Sequence, residues 1–392
     1  MKQIRKKSTF KKIIRALAFL SLAAAYVIGL FNTDRETLRI LEEKISGGRE
    51  LTKISDNPLI YETPALREGS FSGYYVITGT QGWGGPLRIA TAINKQGFVQ
   101  DVLVLSHKET PSFFNKLQRK DFFIQFKEKS IASPFLPKET IDTITQATIS
   151  SEAFTKAIRM GSHSIANKIF NLNVLEKKPE WKFGINEILL LGLFLILLTA
   201  LIIKNKLLRY FTMAAAFVFL GFHLNSSLSI AHFGSLLLGF FPPIRIHTFW
   251  WILVVGTLMT AFLLKRNLYC YGLCPFGNLQ ELNSRISGIN IRLSSRILKI
   301  TKYMSRFLTW LALILIFLTT KPFMGAYEPF PVLFGLEGIE IQWFILPFVI
   351  LGSFVFTRFF CRFFCPVGVI LNLTIKGRRK LDKFVRNIVK LE

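Results

Sequence analysis

Cysteine is scarce in this 392-residue sequence: there are four, confined to two short stretches. That scarcity excludes a small disulfide-stapled scaffold and assigns the thiols to one purpose. Acidic residues are also few, 24 Asp and Glu against 50 Lys and Arg, for a net charge of +26. Charge of either sign is nearly missing from several long apolar runs. Some of these approach the ~20 residues that cross a bilayer, which excludes an ordinary soluble globule. What is abundant is apolar: 51% of the residues, with 39 phenylalanines.

The basic excess is unevenly placed. Between Asp34 and Glu180 there are seventeen acidic and twenty basic residues, close to balance. The surplus lies beside the apolar runs, at Lys2–Arg15, Lys204–Arg209, Lys265–Arg306 and Arg358–Lys390. Short Lys/Arg-rich flanks mark the cytoplasmic side and attract anionic lipid headgroups. Topology therefore accounts for the charge, and no nucleic-acid partner is expected.

Ile13–Phe31 reads as an uncleaved N-terminal anchor (residues 1–32), preferred over a cleaved signal peptide because it is long for an h-region. Residues 33–180 then lie outside the cytoplasm as a small α+β domain. The pattern predicts a polar helix over Thr33–Ile45, capped by Thr33 or Asp34 and ended by Gly47-Gly48. Strands are expected at Gly73–Thr78, Leu87–Ile93 and Phe98–Leu105, and helices at Pro111–Lys120 and Ser151–Phe170. Residues 181–392 read as an all-α membrane bundle. Its spans are Ile185–Ile203, Leu207 to about Leu228, His247–Leu264, Phe307–Thr319 and Ile341–Thr357, six in total with the anchor and with both termini inside. Ser229–Arg245, broken by glycines and Pro242-Pro243, reads as an interfacial or re-entrant piece. Phe276–Tyr303 reads as a cytoplasmic segment and Lys321–Glu340 as an outer loop.

All four cysteines fall in a repeated hexapeptide. Cys270-Tyr271-Gly272-Leu273-Cys274-Pro275 recurs as Cys361-Arg362-Phe363-Phe364-Cys365-Pro366, each copy followed by a glycine, Gly277 or Gly368. The repeat halves run over about 207–280 and 303–372, and internal repeats around a shared site are common in membrane proteins. Cysteines at i and i+4 share a helical face, and the proline turns the second toward extended backbone. Cys-x-x-x-Cys-Pro also ends the bacterial ferredoxin run, so two halves supply the four thiolates of a 4Fe-4S cluster. Four-thiolate zinc is the chemical rival, and two unrelated pairs of buried thiols the bland one. The repetition favours iron–sulfur. Arg266, Arg358 and Arg362 could offset cluster charge, although ordinary positive-inside anchoring explains them as well.

A second stretch is Asp142-Thr143-Ile144-Thr145-Gln146-Ala147-Thr148-Ile149-Ser150. From propensity alone it is a polar loop before a helix, with Ser150 or Ser151 as the N-cap. Its Asp-x-x-Thr-x-Ala-Thr pattern, however, resembles the attachment motif of covalently flavinylated FMN-binding domains from sodium-pumping and Rnf-type complexes. The resemblance implies FMN esterified to Thr148 by a separate flavin transferase, with Asp142, Thr145 and Ala147 as matching positions. Gln146 stands where that family has glycine. Gly82-Trp83-Gly84-Gly85-Pro86 and Ser106-His107-Lys108-Glu109-Thr110-Pro111 match two further family segments in order. They imply close backbone approach to the flavin at Gly84 and Gly85, and contacts from His107, Glu109 and Thr110.

An anchored FMN domain followed by two Cys-x-x-x-Cys-Pro copies is similar to the regulator-like electron-transfer proteins of nitrous oxide and nitrite reduction. The membrane half also resembles the quinol-oxidising subunit of periplasmic nitrate reduction. The resemblance covers roughly residues 60–370 and implies a bacterial inner-membrane electron carrier. A cytosolic donor or quinone would supply the electrons, and an extracytoplasmic acceptor would take them. Those families continue into a ferredoxin domain that these residues do not contain, so a self-contained relay from the cytosol is not expected. A cytoplasmic cluster and an outer flavin would stand about 30 Å of hydrocarbon apart, which calls for an intermediate carrier. His223, His232 and His247 could ligate a haem b or contact a quinone. The rival function is a membrane sensor or assembly factor with a four-cysteine zinc or copper site.

Overall fold

The computed structural model describes residues 2–41, 51–63, 72–175 without 146, 181, and 183–389 without 290, 292 and 337. It divides into two compact units. The first comprises residues 1–179, Gly234–Pro242 and Leu315–Met324; the second comprises Glu180–Phe233, Pro243–Ile314 and Gly325–Glu392.

In the first unit, α1 spans Lys2–Leu41 without interruption. The expected break before Thr33 is absent, so neither Thr33 nor Asp34 caps a separate helix; Gly47-Gly48 lies outside the described residues. Tyr26 of α1 packs edge-on against Phe317, with ring centroids 5.6 Å apart. Five strands follow: β1 (Thr52–Asp56), β2 (Leu59–Thr63), β3 (Gly73–Gln81), β4 (Pro86–Asn94) and β5 (Val99–His107). They form an antiparallel meander in the order β1-β2-β3-β4-β5. The last three were expected from alternation. The first two were not, because Thr52–Asp56 is short and largely polar.

Period-2 alternation divides the sheet's side chains between its faces. Ile60, Val76, Leu87, Ile89 and Val99 pack with α2 (Pro111–Arg119) and α3 (Thr148–Lys168) through Phe114, Leu117, Phe154, Ala157 and Ile158. Tyr75, Ile77, Ala90, Leu103 and Leu105 form a smaller cluster. The Thr78 hydroxyl donates to the Ala157 carbonyl at 2.8 Å, locking β3 to α3.

The second unit is helical. Its elements are α4 (Ile185–Ile203), α5 (Lys206–Ala216) continuing as a π-helix over Phe217–His223, α7 (Thr248–Leu264), α8 (Pro275–Ser287), α10 (Phe330–Gly335), α11 (Glu340–Val355), α12 (Phe359–Phe363) and α13 (Pro366–Val389). Two helices are shared with the first unit by sequence, α6 (Ile230–Leu237) and α9 (Ser295–Thr319). Among the described residues, three helices are long and apolar enough to cross a membrane: residues 12–32 within α1, α4, and α9. α7 and α11 are apolar and shorter, at 17 and 16 residues.

α9 begins at Ser295, well before the expected Phe307. Arg296, Lys299, Lys302 and Arg306 recur at helical spacing, so the last part of the Phe276–Tyr303 segment, from Ser295, is the polar start of this helix, while its first part lies in α8. The expected outer loop Lys321–Glu340 also departs from a surface loop. Tyr327 donates its hydroxyl to the Phe364 carbonyl at 2.5 Å, beside the second cysteine pair. α11 lies between these points in sequence and is about 24 Å long at 1.5 Å per residue. The segment therefore folds back along the helix. The connection after the Phe217–His223 π-helix does the same: Leu228 N–H donates to the Tyr269 hydroxyl at 2.8 Å, beside the first pair. In both returns the protein itself supplies the hydrogen-bond partner of the irregular backbone or of the side chain beside it.

Candidate cofactor sites

In the first unit, the glycine turn before β4, the end of β5 and the start of α3 meet at Glu109. This carboxyl is fully buried. Its Oε1 accepts Gly84 N–H at 3.3 Å and its Oε2 accepts the Ser150 hydroxyl at 2.5 Å. Burial pushes the carboxyl up to about 7, against the Ser150 and Gly84 hydrogen bonds. A Cβ on Gly82 would collide with Glu109 Oε1, and one on Gly84 would come within 2.2 Å of the Lys108 carbonyl oxygen. Glycine is thus required there by the chain's own packing. The space that the family resemblance reserves for a flavin is, beside Gly82 and Gly84, filled by Lys108 and Glu109.

The start of α3 corrects the expected cap. Ala147 is the N-cap and Thr148 the first helical residue. Ser150 is bonded to Glu109, while Ser151 accepts Ile144 N–H at 3.1 Å and donates to the Ala147 carbonyl at 3.0 Å. Thr148 is half-buried, and its hydroxyl lies 3.4 Å from the Ile144 carbonyl oxygen. Asp142 is held through its backbone by both ends of the Gln125 amide, at 2.9 and 3.2 Å. Thr145 is exposed and Ala147 buried; Gln146 lies outside the described residues. Thr110 precedes α2 as its N-cap without a side-chain cap bond. His107 stacks on Phe114 with centroids 3.8 Å apart, and burial, aided by Lys321, pushes it down to about 4. The imidazole is therefore neutral near pH 7.

Residues of Gly234–Pro242 and Leu315–Met324 complete this unit. The Lys108 ammonium donates to the Thr320 hydroxyl at 2.7 Å, and the Ser235 hydroxyl donates to the Gly84 carbonyl at 3.4 Å. The same turn and strand end that hold Glu109 thus also touch Leu315–Met324 and Gly234–Pro242.

In the second unit, the two cysteine copies come together. A Cβ built on Gly277 would sit 3.5 Å from Cys274 Sγ and 3.7 Å from Cys361 Sγ, one sulfur from each copy. The copies share their local geometry. The first cysteine of each is part-exposed and the second buried. Cys274 N–H donates to the Tyr269 carbonyl at 2.9 Å and Cys365 N–H to the Phe360 carbonyl at 3.0 Å, both five residues back. That π-type closure replaces the plain α-turn expected for i, i+4 cysteines. Cys274 caps α8, with Pro275 first in the helix, and its sulfur accepts Gly277 N–H at 3.4 Å. Cys365 precedes α13 in the same way, accepting Gly368 N–H at 3.3 Å. Cys-Pro-x-Gly is therefore a sulfur-capped helix start, used twice.

Charged and polar side chains bind the copies together, and of these the sequence pointed only to Arg358. Gln280 is fully buried; its amide NH2 lies 3.7 Å from Cys361 Sγ, and its carbonyl accepts Phe360 N–H at 2.7 Å. Arg358 donates to the Cys270 carbonyl and, at 2.8 Å, to Glu281. Glu281 also accepts from Arg209 at 2.7 Å and Arg285 at 2.9 Å. Burial opposes ionisation of Glu281, but Arg209 and Arg358 hold it below the usual carboxylate range. Arg362 and Arg266 take no part in these bonds. Phe276, Phe330 and Phe360 pack around the site with centroids 5.1 to 6.0 Å apart.

Burial pushes all four thiols up, and for Cys270, Cys361 and Cys365 the other cysteines push further. Removing those protons takes a strongly bound cation. Among the described residues no three His, Cys, Asp or Glu side chains gather closely enough for one metal ion. A four-iron cluster binds each thiolate on a different iron and so suits a wider spacing. The backbone N–H groups on sulfur fit such a group, as does the lack of a side chain at Gly277, whose Cβ would stand in contact with a sulfur of each copy. The histidines do not converge. His223 is exposed and stacked on Phe219, His232 is buried with Nδ1 3.0 Å from the Ser229 hydroxyl, and His247 sits at the start of α7.

Both candidate sites fall within stretches that match known family models. Residues 82–161 match the model of the FMN-binding domain. Residues 246–300 and 343–383 match that of the 4Fe-4S binding domain. Over 194 residues the chain is 30% identical to Protein NirI of Paracoccus denitrificans, covering 44% of this chain and 27% of that protein. It is 29% identical over 202 residues to Regulatory protein NosR of Stutzerimonas stutzeri, covering 46% of this chain and 26% of that protein. Over 132 residues it is 28% identical to a component of the proton-translocating ferredoxin:NAD(+) oxidoreductase complex of Clostridium ljungdahlii, 32% of this chain and 68% of that component. The chain thus spans about a quarter of the length of the first two relatives. It joins an FMN-binding domain to a 4Fe-4S binding domain in one polypeptide.

Proposed function

We propose that the chain is an electron carrier of a bacterial cytoplasmic membrane. Electrons from a cytosolic donor or quinol enter at Cys270, Cys274, Cys361 and Cys365, and leave through FMN on Thr148 to an extracytoplasmic acceptor. The carrying observation is the placement of sulfurs from both copies around Gly277. An iron–sulfur cluster passes single electrons, whereas FMN carries one or two, so the flavin can join carriers of different stoichiometry.

The protein's part is to hold and orient. Arg358 and Gln280 fix the two cysteine copies against each other, and the sulfur-directed N–H groups favour thiolate charge. Thr148 begins a 21-residue helix, whose N-terminus favours an attached phosphate. Glu109 ties that helix start to the glycine turn, so it is a positioning residue. Asp142, Thr145 and Ala147 shape the loop that presents Thr148 to a flavin transferase. His107 and Thr110 complete the flavin-side contacts. In this reading residues 1–32 anchor the chain, 33–180 form the outer flavin domain, and 181–392 the polytopic domain with both termini inside. Six spans follow if α5 with its π-helical continuation, α7 and α11 also cross the bilayer.

In-gel flavin fluorescence of the denatured protein, produced with a flavin transferase, tests the outer half. A fluorescent band that disappears in Thr148→Val is the expected result. No band in the unaltered protein, despite an active transferase, overturns it.

A further inference from the structure

The folded-back segment between α9 and α11 carries a carboxyl that the cysteine site does not use. Glu328 is 1% exposed. Its Oε1 accepts Ile230 N–H at 2.7 Å, whereas Oε2 has no hydrogen-bond partner among the described residues. It makes no ion pair among them either. A buried carboxylate without a cation is costly, and burial pushes this group up to about 7.

Glu328 is tied to both cysteine copies through short segments. Tyr327, its neighbour in sequence, is bonded to the carbonyl of Phe364, the residue before Cys365. Leu228, two residues before the Ile230 that bonds Glu328, is bonded to the hydroxyl of Tyr269, the residue before Cys270. The titratable groups on the elements packed here are Tyr327, Tyr269 and His232. Burial pushes both tyrosines up and His232 down to about 4. All three are therefore neutral around pH 7. Glu328 is the group of this set whose charge can change there.

We propose that Glu328 is a redox-linked proton site, taking up one proton when the four-cysteine centre gains one electron and releasing it when the electron leaves. The electron comes from the donor of the relay and the proton from water, with carboxylate becoming carboxylic acid. Net charge in the low-dielectric interior is then unchanged by reduction, which is the electrostatic reason for the coupling. The inference rests on the iron–sulfur reading above.

The test is a redox titration of the cluster's electron paramagnetic resonance signal, on the full chain in detergent, from pH 5.5 to 8.5. The midpoint potential should fall as pH rises in the unaltered protein, stay constant in Glu328→Gln, and regain its slope in Glu328→Asp. Redox-difference infrared spectra should show a carboxylic C=O band that Glu328→Gln removes. A cluster signal with a pH-independent midpoint, or a slope that survives Glu328→Gln, overturns the proton site and leaves the relay standing. No cluster signal with all four cysteines intact overturns both.

Discussion

Replacing Glu281 with alanine should destabilise the cysteine unit more than any other single change of a charged side chain there. The side chain is 9% exposed, and its partners Arg209 and Arg358 are 15% and 20% exposed, so water screens them little. Truncation leaves those guanidiniums without their shared counter-charge. Removing one member of a buried ion pair costs about 3 kcal/mol or more. With about 2–4 °C per kcal/mol for a unit of this size, the melting temperature should fall by roughly 6–12 °C. Tryptophan fluorescence during thermal unfolding in detergent reads this directly. Iron content should drop as well, because Arg358 loses the partner that holds it against the Cys270 carbonyl. The double variant Glu281→Ala/Arg358→Leu should cost less than the two singles combined, as it removes both charges. A Glu281→Ala protein melting within about 2 °C of the unaltered one, on the same size relation, would refute the reasoning.

Three further outcomes are expected. Gly277→Ala should be tolerated, since its Cβ would stand at ordinary contact distance from both sulfurs, whereas Gly277→Val should lose iron while keeping its helical circular dichroism. Glu109 binds a proton more tightly in the folded domain than when unfolded, so its contribution is complete below the unfolded carboxylate range near pH 4 and lost as pH rises through about 7. Thermal melts across pH 4.5–8 should show that decline, and Glu109→Gln should flatten it. Ser150→Ala should remove one bond to Glu109 Oε2 and lower flavin attachment roughly 5- to 30-fold, the equivalent of about 1–2 kcal/mol, with no change in iron content.

The cysteine repeat was legible because four residues of a rare type stood in two copies of one pattern. β3, β4 and β5 were legible from alternation, and α4 from an uninterrupted apolar run. Tertiary roles were not. Gln280 and Glu281 read as ordinary polar positions on a short helix, yet they join the two copies, because residues about 80 positions away fold against them. Glu328 sat in a stretch whose Pro, Gly and Phe content signals a loop, and nothing local says that the loop returns along α11. The start of α3 was misplaced because Ser150 and Ser151 are good caps by type, whereas the structure uses their hydroxyls to hold Glu109 and the Ile144–Ala147 loop.

The central claim is that both cysteine copies build one iron–sulfur centre. Iron and acid-labile sulfide, measured on the full chain and on Cys270→Ser and Cys361→Ser, test it most directly. One cluster per chain, lost on changing either cysteine, is the expected result. Zinc or copper without sulfide, or a variant in one copy that leaves the other's metal in place, would contradict it.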